Sequence, residues 1–206
     1  MIAYPHTGVV ARYPTVYRTG SPPYGPIHRK PKEYFYLGKS VTLENEADVG
    51  VDEDGVNNLN LAADSADHDG DDDGVQMPAV LPHCGWARME YTINMVDPPH
   101  QYIYFNAWFD WNRDGDWDDT LICPDGSKVH EWGVQNQEEY LWESGTETFT
   151  VSFKCWHPSD STSSDPMWMR VTLSEQSWSV GSSASGGSGP KDGYEYGETE
   201  DYLINP

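Results

Sequence analysis

The residues with the clearest chemistry lie in one run, Phe109-Asp110-Trp111-Asn112-Arg113-Asp114-Gly115-Asp116-Trp117-Asp118-Asp119. Oxygen-bearing side chains recur at every second position, Asp110, Asn112, Asp114, Asp116 and Asp118, around a single glycine. A hard divalent cation such as Ca2+ takes about six to eight oxygen ligands at short range, and alternating Asp and Asn in a tight loop supply them. Without a cation, carboxylates at that spacing repel one another. Asp110, Asn112 and Asp114 match the first, third and fifth positions of an EF-hand loop, Gly115 its sharp turn and Asp116 its seventh position. The twelfth position holds Leu121 in place of glutamate, and the preceding segment reads as a strand, so the loop is not an EF-hand. Its remaining carboxylate must come from distant sequence. Glu198, Glu200 and Asp201, in the C-terminal run Gly197-Glu198-Thr199-Glu200-Asp201-Tyr202, are expected to supply it. A second tract with the same grammar, Asp69-Gly70-Asp71-Asp72-Asp73-Gly74, adds Asp69, Asp71 and Asp73 as candidate ligands. Trp111 and Trp117 offer faces for stacking on sugar rings; the alternative is that they fill core, as Trp more often does.

The rest of the composition narrows the function classes. The chain has 206 residues and a formal charge of −22, from 34 acidic and 12 basic residues, which makes nucleic acid an unsuitable partner. The charge is unevenly spread. Residues 1–32 carry Arg12, Arg18, Arg29, Lys30 and Lys32 with no acid, leaving −27 on residues 33–206, the total of −22 less the +5 of this arm. No run of apolar residues is long enough to span a bilayer, and Met1-Ile2-Ala3-Tyr4-Pro5 lacks the apolar stretch of a signal peptide. Cys84, Cys123 and Cys155 have no C-x-x-C spacing; one disulfide and one thiol fit, with the pairing open. His130-Glu131 lacks the second histidine of a zinc-protease helix, and no G-x-S-x-G elbow appears. The expectation is a protein without catalytic activity.

These residues must be positioned by strands. Ala87, Met89, Tyr91, Ile93 and Met95 alternate with polar residues, and Tyr102–Phe109 is apolar on both faces, which marks a central strand leading directly into the Asp110 loop. Further strands are expected at Glu33–Leu37, Val41–Leu43, Glu147–Trp156 and Trp168–Leu173, with a short helix at Gln135–Glu143 and a flexible surface loop of small residues at Gly181–Gly189. Residues 1–32, with six prolines interleaved with tyrosines, read as an extended arm, and residues 33–206 as one domain. The fold class is all-β, an antiparallel β-sandwich of the Ig-like or jelly-roll-like kind, with long acidic calcium-binding loops.

The central run from Asn106 to Asp119, together with Gly197–Tyr202, resembles the GEVED domain family of large secreted or surface-attached bacterial and archaeal proteins. Tyr36-Leu37-Gly38 and Glu53-Asp54-Gly55-Val56 are similar to its upstream landmarks, so the resemblance runs from about Tyr13 to Tyr202. Thr199 stands where the family usually has Val, and Thr120-Leu121-Ile122 where it often has glycine and glutamate. The resemblance implies an extracellular, non-catalytic β-sandwich module at the cell surface. Partners are then further copies of the chain in an oligomer or filament built by the basic arm, other surface proteins, or glycans if the chain is a carbohydrate-binding module.

Overall fold

Twelve strands form among the described residues: β1 (Ile2–Tyr4), β2 (Val9–Val10), β3 (Tyr34–Leu37), β4 (Val75–Gln76), β5 (Trp86–Val96), β6 (Tyr102–Phe109), β7 (Thr120–Ile122), β8 (Lys128–His130), β9 (Trp132–Tyr140), β10 (Gly145–Lys154), β11 (Met167–Ser174) and β12 (Gly197–Ile204). The computed structural model describes residues 2–4, 6–14, 25–41, 72–158, 165–178 and 186–205. Asp69 and Asp71, and Thr42 and Leu43 of the expected second strand, lie outside them.

The strands pair antiparallel into two main sheets that bury one core, the β-sandwich expected. In the first, β5 is central, flanked on one side by β10 and on the other by β3 and β4. Its period-two alternation is visible in burial: Ala87, Met89, Tyr91, Ile93 and Met95 face inward, joined by Phe35 and Leu37 of β3 and Val151 and Phe153 of β10. The second sheet runs β12-β11-β6-β9. Ile103, Phe105, Ala107 and Phe109 of β6 and Met167, Met169, Val171 and Leu173 of β11 meet the first sheet's inner face. Tyr91 stacks on Phe105 across the interface at 3.9 Å between ring centroids.

The second sheet is also covered on its outer face. Trp108, Trp132 and Trp168 point away from the sandwich core and pack with Tyr4, Ala11, Tyr13 and Trp117 in a separate aromatic layer. Covering on both sides explains why β6 carries large apolar residues in both phases and why every residue of β11 is buried. The cover is the N-terminal arm. β1 and β2 form a small hairpin, Trp168 Nε1 donates to Ala3 O at 3.2 Å, and Arg170 donates to Pro14 O at 2.7 Å. Farther along, His28 bridges Tyr194 and Lys30 N donates to Glu195 O. In every described stretch, the arm docks on its own domain.

Two expectations change. Gln135–Glu143 is not a helix; its first six residues belong to β9, an edge strand paired with β6 from Tyr102↔Tyr140 to Trp108↔Trp132. Ladder pairing outweighs the weak helical preference of Gln and Glu. Of the Gly181–Gly189 loop, residues 181–185 lie outside the described residues; in the rest, Gly187, Ser188 and Gly189 are buried, because Gly187 lies under Trp117 and Gly189 against Pro26, where small residues allow close approach. The disulfide joins Cys84 and Cys123, leaving Cys155 as a buried thiol.

Candidate metal centre

β6 ends at Phe109, and the chain then folds Asp110–Asp119 into a loop whose neck is pinned by backbone bonds. Phe109 N donates to Glu131 O at 2.9 Å, Glu131 N to Asp119 O at 3.0 Å, and Asp110 N to Trp168 O at 3.0 Å. Its two tryptophans anchor it on opposite sides of the second sheet. Trp111 stacks on Phe109 at 4.5 Å and enters the sandwich core; Trp117 stacks on Tyr13 at 4.1 Å and lies 4.8 Å from the Arg170 guanidinium in the outer layer. Their exposures are 0% and 1%, so neither presents a face to a sugar, and the stacking role considered for Trp111 and Trp117 is corrected: both are packing residues.

Inside the loop, side-chain oxygens first satisfy the loop's own amides. Asp110 Oδ1 accepts from Asp114 N at 3.0 Å, and its Oδ2 accepts from Gly115 N at 3.0 Å. The same Oδ2 accepts the Tyr4 hydroxyl at 2.8 Å and the Tyr13 hydroxyl at 2.5 Å. The arm therefore grips the first acid of the loop directly. Gly115 is required by this contact, since its φ is +96° and a Cβ would lie 2.4 Å from Val10 O. Asn112 Oδ1 accepts from Asp114 N, while its Nδ2 donates to Asp114 Oδ2 at 3.0 Å and Asp119 Oδ2 at 2.6 Å.

What remains is a knot of carboxylates. Asp114, Asp116 and Asp119 each bring an oxygen within 4.8 Å of the others. Asp119 adds to the charge facing Asp114, and Asp118 to that facing Asp116. Burial and these neighbours raise Asp114 above the usual carboxylate range and push Asp116 up to about 6. Asp118 is exposed and lies outside the three-acid group; Asp119 takes the place expected for it. The reason is local: two consecutive acids follow Trp117, and the second is drawn inward by Asp119 N donating to Glu131 Oε2 at 2.9 Å.

Glu131 was not among the sequence candidates. It is fully buried, at 0% exposure, and its Oε1 has no hydrogen-bond partner among the described residues. Burial first, and then the Asp110 charge, push its carboxyl up to about 10. Asp110 itself rises to about 6 through burial, with the two tyrosine hydrogen bonds pulling it back down. An all-oxygen set of carboxylates and one amide suits a hard cation and not a thiophilic one. The signal for Glu131 was available: it follows β8 in phase with buried Val129, which puts an acid on an inward-facing position.

Comparison with known proteins then places this half of the chain. The model of the GEVED domain family matches residues 104–205. Over that span the chain is similar to the GEVED family. The match begins at Tyr104 instead of near Tyr13, so Tyr36-Leu37-Gly38 and Glu53–Val56 fall outside it. No curated protein and no solved structure matches the chain.

The GEVED-type motif itself, Gly197–Tyr202, does not reach the Asp110 loop, which corrects the expected ligand role of Glu198, Glu200 and Asp201. Alternation along β12 sends its acids to two different places. Glu198 Oε1 accepts from Leu37 N at 2.6 Å, and Glu200 Oε1 accepts from Asp73 N at 3.2 Å and Gly74 N at 3.0 Å. Tyr202 OH donates to Glu200 Oε2 at 2.7 Å and accepts from Val75 N at 3.1 Å. These acids tie the GEVED strand to the β3–β4 edge of the other sheet. Asp201, on the opposite face, forms a two-bond pair with Arg170 at 2.7 and 2.6 Å. Asp73 is engaged with Lys39, accepting its backbone N–H at 2.8 Å. All four described acids in this set are thus bound to donors of the fold itself.

Proposed function

We propose that this chain is a non-catalytic, extracellular structural or adhesive module whose fold is stabilised by Ca2+ at the Asp110–Asp119 loop. The observation that carries the reading is the convergence of Asp114, Asp116 and Asp119, with a carboxylate oxygen of each within 4.8 Å of the others inside a half-buried loop. Like charges this close are repulsive unless a proton or a cation lies between them. A cation with a high coordination number suits an oxygen-only set held by a loop of small turns. The GEVED assignment supports a surface-module context, and calcium is most abundant outside cells. The arm bears on the partner. Its residues 2–4 and 6–14 cover the outer aromatic layer of their own domain, which favours a self-contained module over a filament built by donating the arm to a neighbour. The burial of Trp111 and Trp117 removes the platform on which the carbohydrate-binding alternative rested.

The test is thermal melting of the full chain in Ca2+ and in chelator. An ion bound only to the folded state adds about 2.7 kcal/mol at a hundredfold excess over Kd. For a chain of this size that is roughly 5–10 °C in Tm. Identical melting in Ca2+ and in chelator would sink the proposal.

A further inference from the structure

We propose that Glu131 is a direct ligand of the loop cation, adding a carboxylate from outside the loop to those of Asp114, Asp116 and Asp119; the assignment rests on the calcium reading above.

The residue is built into the neck of the loop. Its carbonyl receives Phe109 N, the residue before the loop, and its amide donates to Asp119 O, the last residue of the loop. The side chain is therefore fixed at both ends of the segment it serves. Asp119 N donates to Oε2 at 2.9 Å, which sets the rotation of the carboxyl group and commits that oxygen. Oε1 is left unpartnered in a fully buried position, and the charges facing the group are those of Asp110, Asp114 and Asp119.

The competing explanation is a buried glutamic acid kept neutral by its surroundings. That account does not pair Oε1: ionised, it is a buried acceptor without a donor, and no hydrogen bond from it is seen if it is protonated. A cation satisfies it in one step. The EF-hand comparison points the same way: a loop with ligands at its first, third, fifth and seventh positions needs a carboxylate from beyond them. Here Leu121 occupies the twelfth position, and the acid arrives twelve residues after Asp119 through the β7–β8 hairpin.

The experiment uses terbium(III) as a luminescent stand-in for Ca2+, since Trp111 and Trp117 lie within the loop and sensitise its emission. Full-length wild type, Glu131→Gln and the exposed control Glu138→Gln are titrated with terbium(III), and bound terbium is displaced by Ca2+. The expected result is at least a tenfold loss of Ca2+ affinity in Glu131→Gln and none in Glu138→Gln. In chelator, Glu131→Gln is expected to melt at or above the wild-type temperature, because an unmet buried carboxyl has become an amide; in Ca2+ the order reverses. Wild-type affinity in Glu131→Gln would overturn the assignment while leaving the calcium reading intact. So would a chelator-state Tm well below wild type with affinity unchanged, which is the mark of a purely structural residue. If wild type itself shows neither sensitised emission nor a Ca2+ shift in Tm, the calcium reading falls, and this assignment with it.

Discussion

Replacing Asp201 by asparagine should destabilise the protein severely although it removes one charge from a chain carrying −22. Arg170 and Asp201 are 2% and 7% exposed and share two short bonds, Nε to Oδ1 at 2.7 Å and Nη2 to Oδ2 at 2.6 Å. The asparagine amide keeps the shape but sets an N–H donor against a guanidinium donor and leaves the arginine charge buried without its counter-ion. Breaking one side of such a pair costs about 3–5 kcal/mol. The opposing gain is relief of general repulsion, about 0.4 kcal/mol per charge at 10 Å in water before screening. The local loss wins, and at roughly 2–4 °C per kcal/mol the expected fall in Tm is roughly 6–20 °C.

A double variant separates the pair from its setting. In isolation, a buried ion pair exchanged for apolar residues is often neutral. Here Arg170 Nη1 also donates to Pro14 O at 2.7 Å and Gly187 O at 2.9 Å, so Arg170→Met with Asp201→Leu strands two buried carbonyls. Each is a loss of about 1–3 kcal/mol. The double variant should therefore stay well below wild type in urea unfolding. An Asp201→Asn loss under about 1 kcal/mol, or a double variant as stable as wild type, would refute the reasoning that this arginine ties the arm, the 186–188 segment and the GEVED strand together.

Two further outcomes follow from the geometry. Gly197→Ala is expected to abolish soluble folded protein, or to lower stability by more than about 3 kcal/mol, because φ is +84° there and a Cβ would lie 1.9 Å from Leu173 O; circular dichroism of the purified variant checks it. His157 is buried, donates Nε2–H to Leu81 O at 2.8 Å, and is held down to about 4 by burial first and then by the nearby Arg113 and His83. A folded pKa below the unfolded value means that stability is present above about 6.5 and is lost as pH falls towards 4. His157→Gln, which can still donate to Leu81 O, should flatten the urea-derived stability profile between those pH values; an unchanged slope would count against it.

The sandwich was legible because its core strands obey a period of two that no local feature disturbs: Ala87 to Met95 alternate without a break, and β6 announced its central place by being apolar in both phases. β9 was not legible. Its residues Gln135 to Glu139 lack a contrast between faces, and Asn136, at φ +49°, sits where the pairing with β6 shifts register, so the alternation is broken as well as weak. The arm's charge asymmetry was plain in sequence, but charge did not choose its destination. Arg12 approaches Asp116 only to 3.8 Å at an exposed position, a contact worth little, whereas Tyr4 and Tyr13 bury their rings and aim both hydroxyls at Asp110. The Asp110 loop was recognised from its spacing, yet spacing alone could not separate Asp118 from Asp119. That choice is made by Glu131, and Glu131 comes from a hairpin the loop grammar does not include.

Density of acid is thus a poor guide to where an ion belongs in this chain, and the donors around each acid are a better one. Glu198 and Glu200 are both buried, but backbone amides of Leu37, Asp73 and Gly74 and the Tyr202 hydroxyl meet them. Asp201 has a guanidinium. Asp110 has two phenols and two amides, enough to explain why burial raises it only to about 6. Asp114, Asp116 and Asp119 instead meet chiefly one another, and Glu131 holds a buried oxygen without a hydrogen-bond partner among the described residues. An acid satisfied by amides gains little from a cation and would have to surrender those bonds to bind one. An acid facing other acids gains from the first positive charge that fits. By that criterion the terminal motif closes the sandwich through hydrogen bonds, the loop and Glu131 are where a cation would gain most, and Asp110 couples the two by binding the arm that Arg170 and Asp201 hold in place.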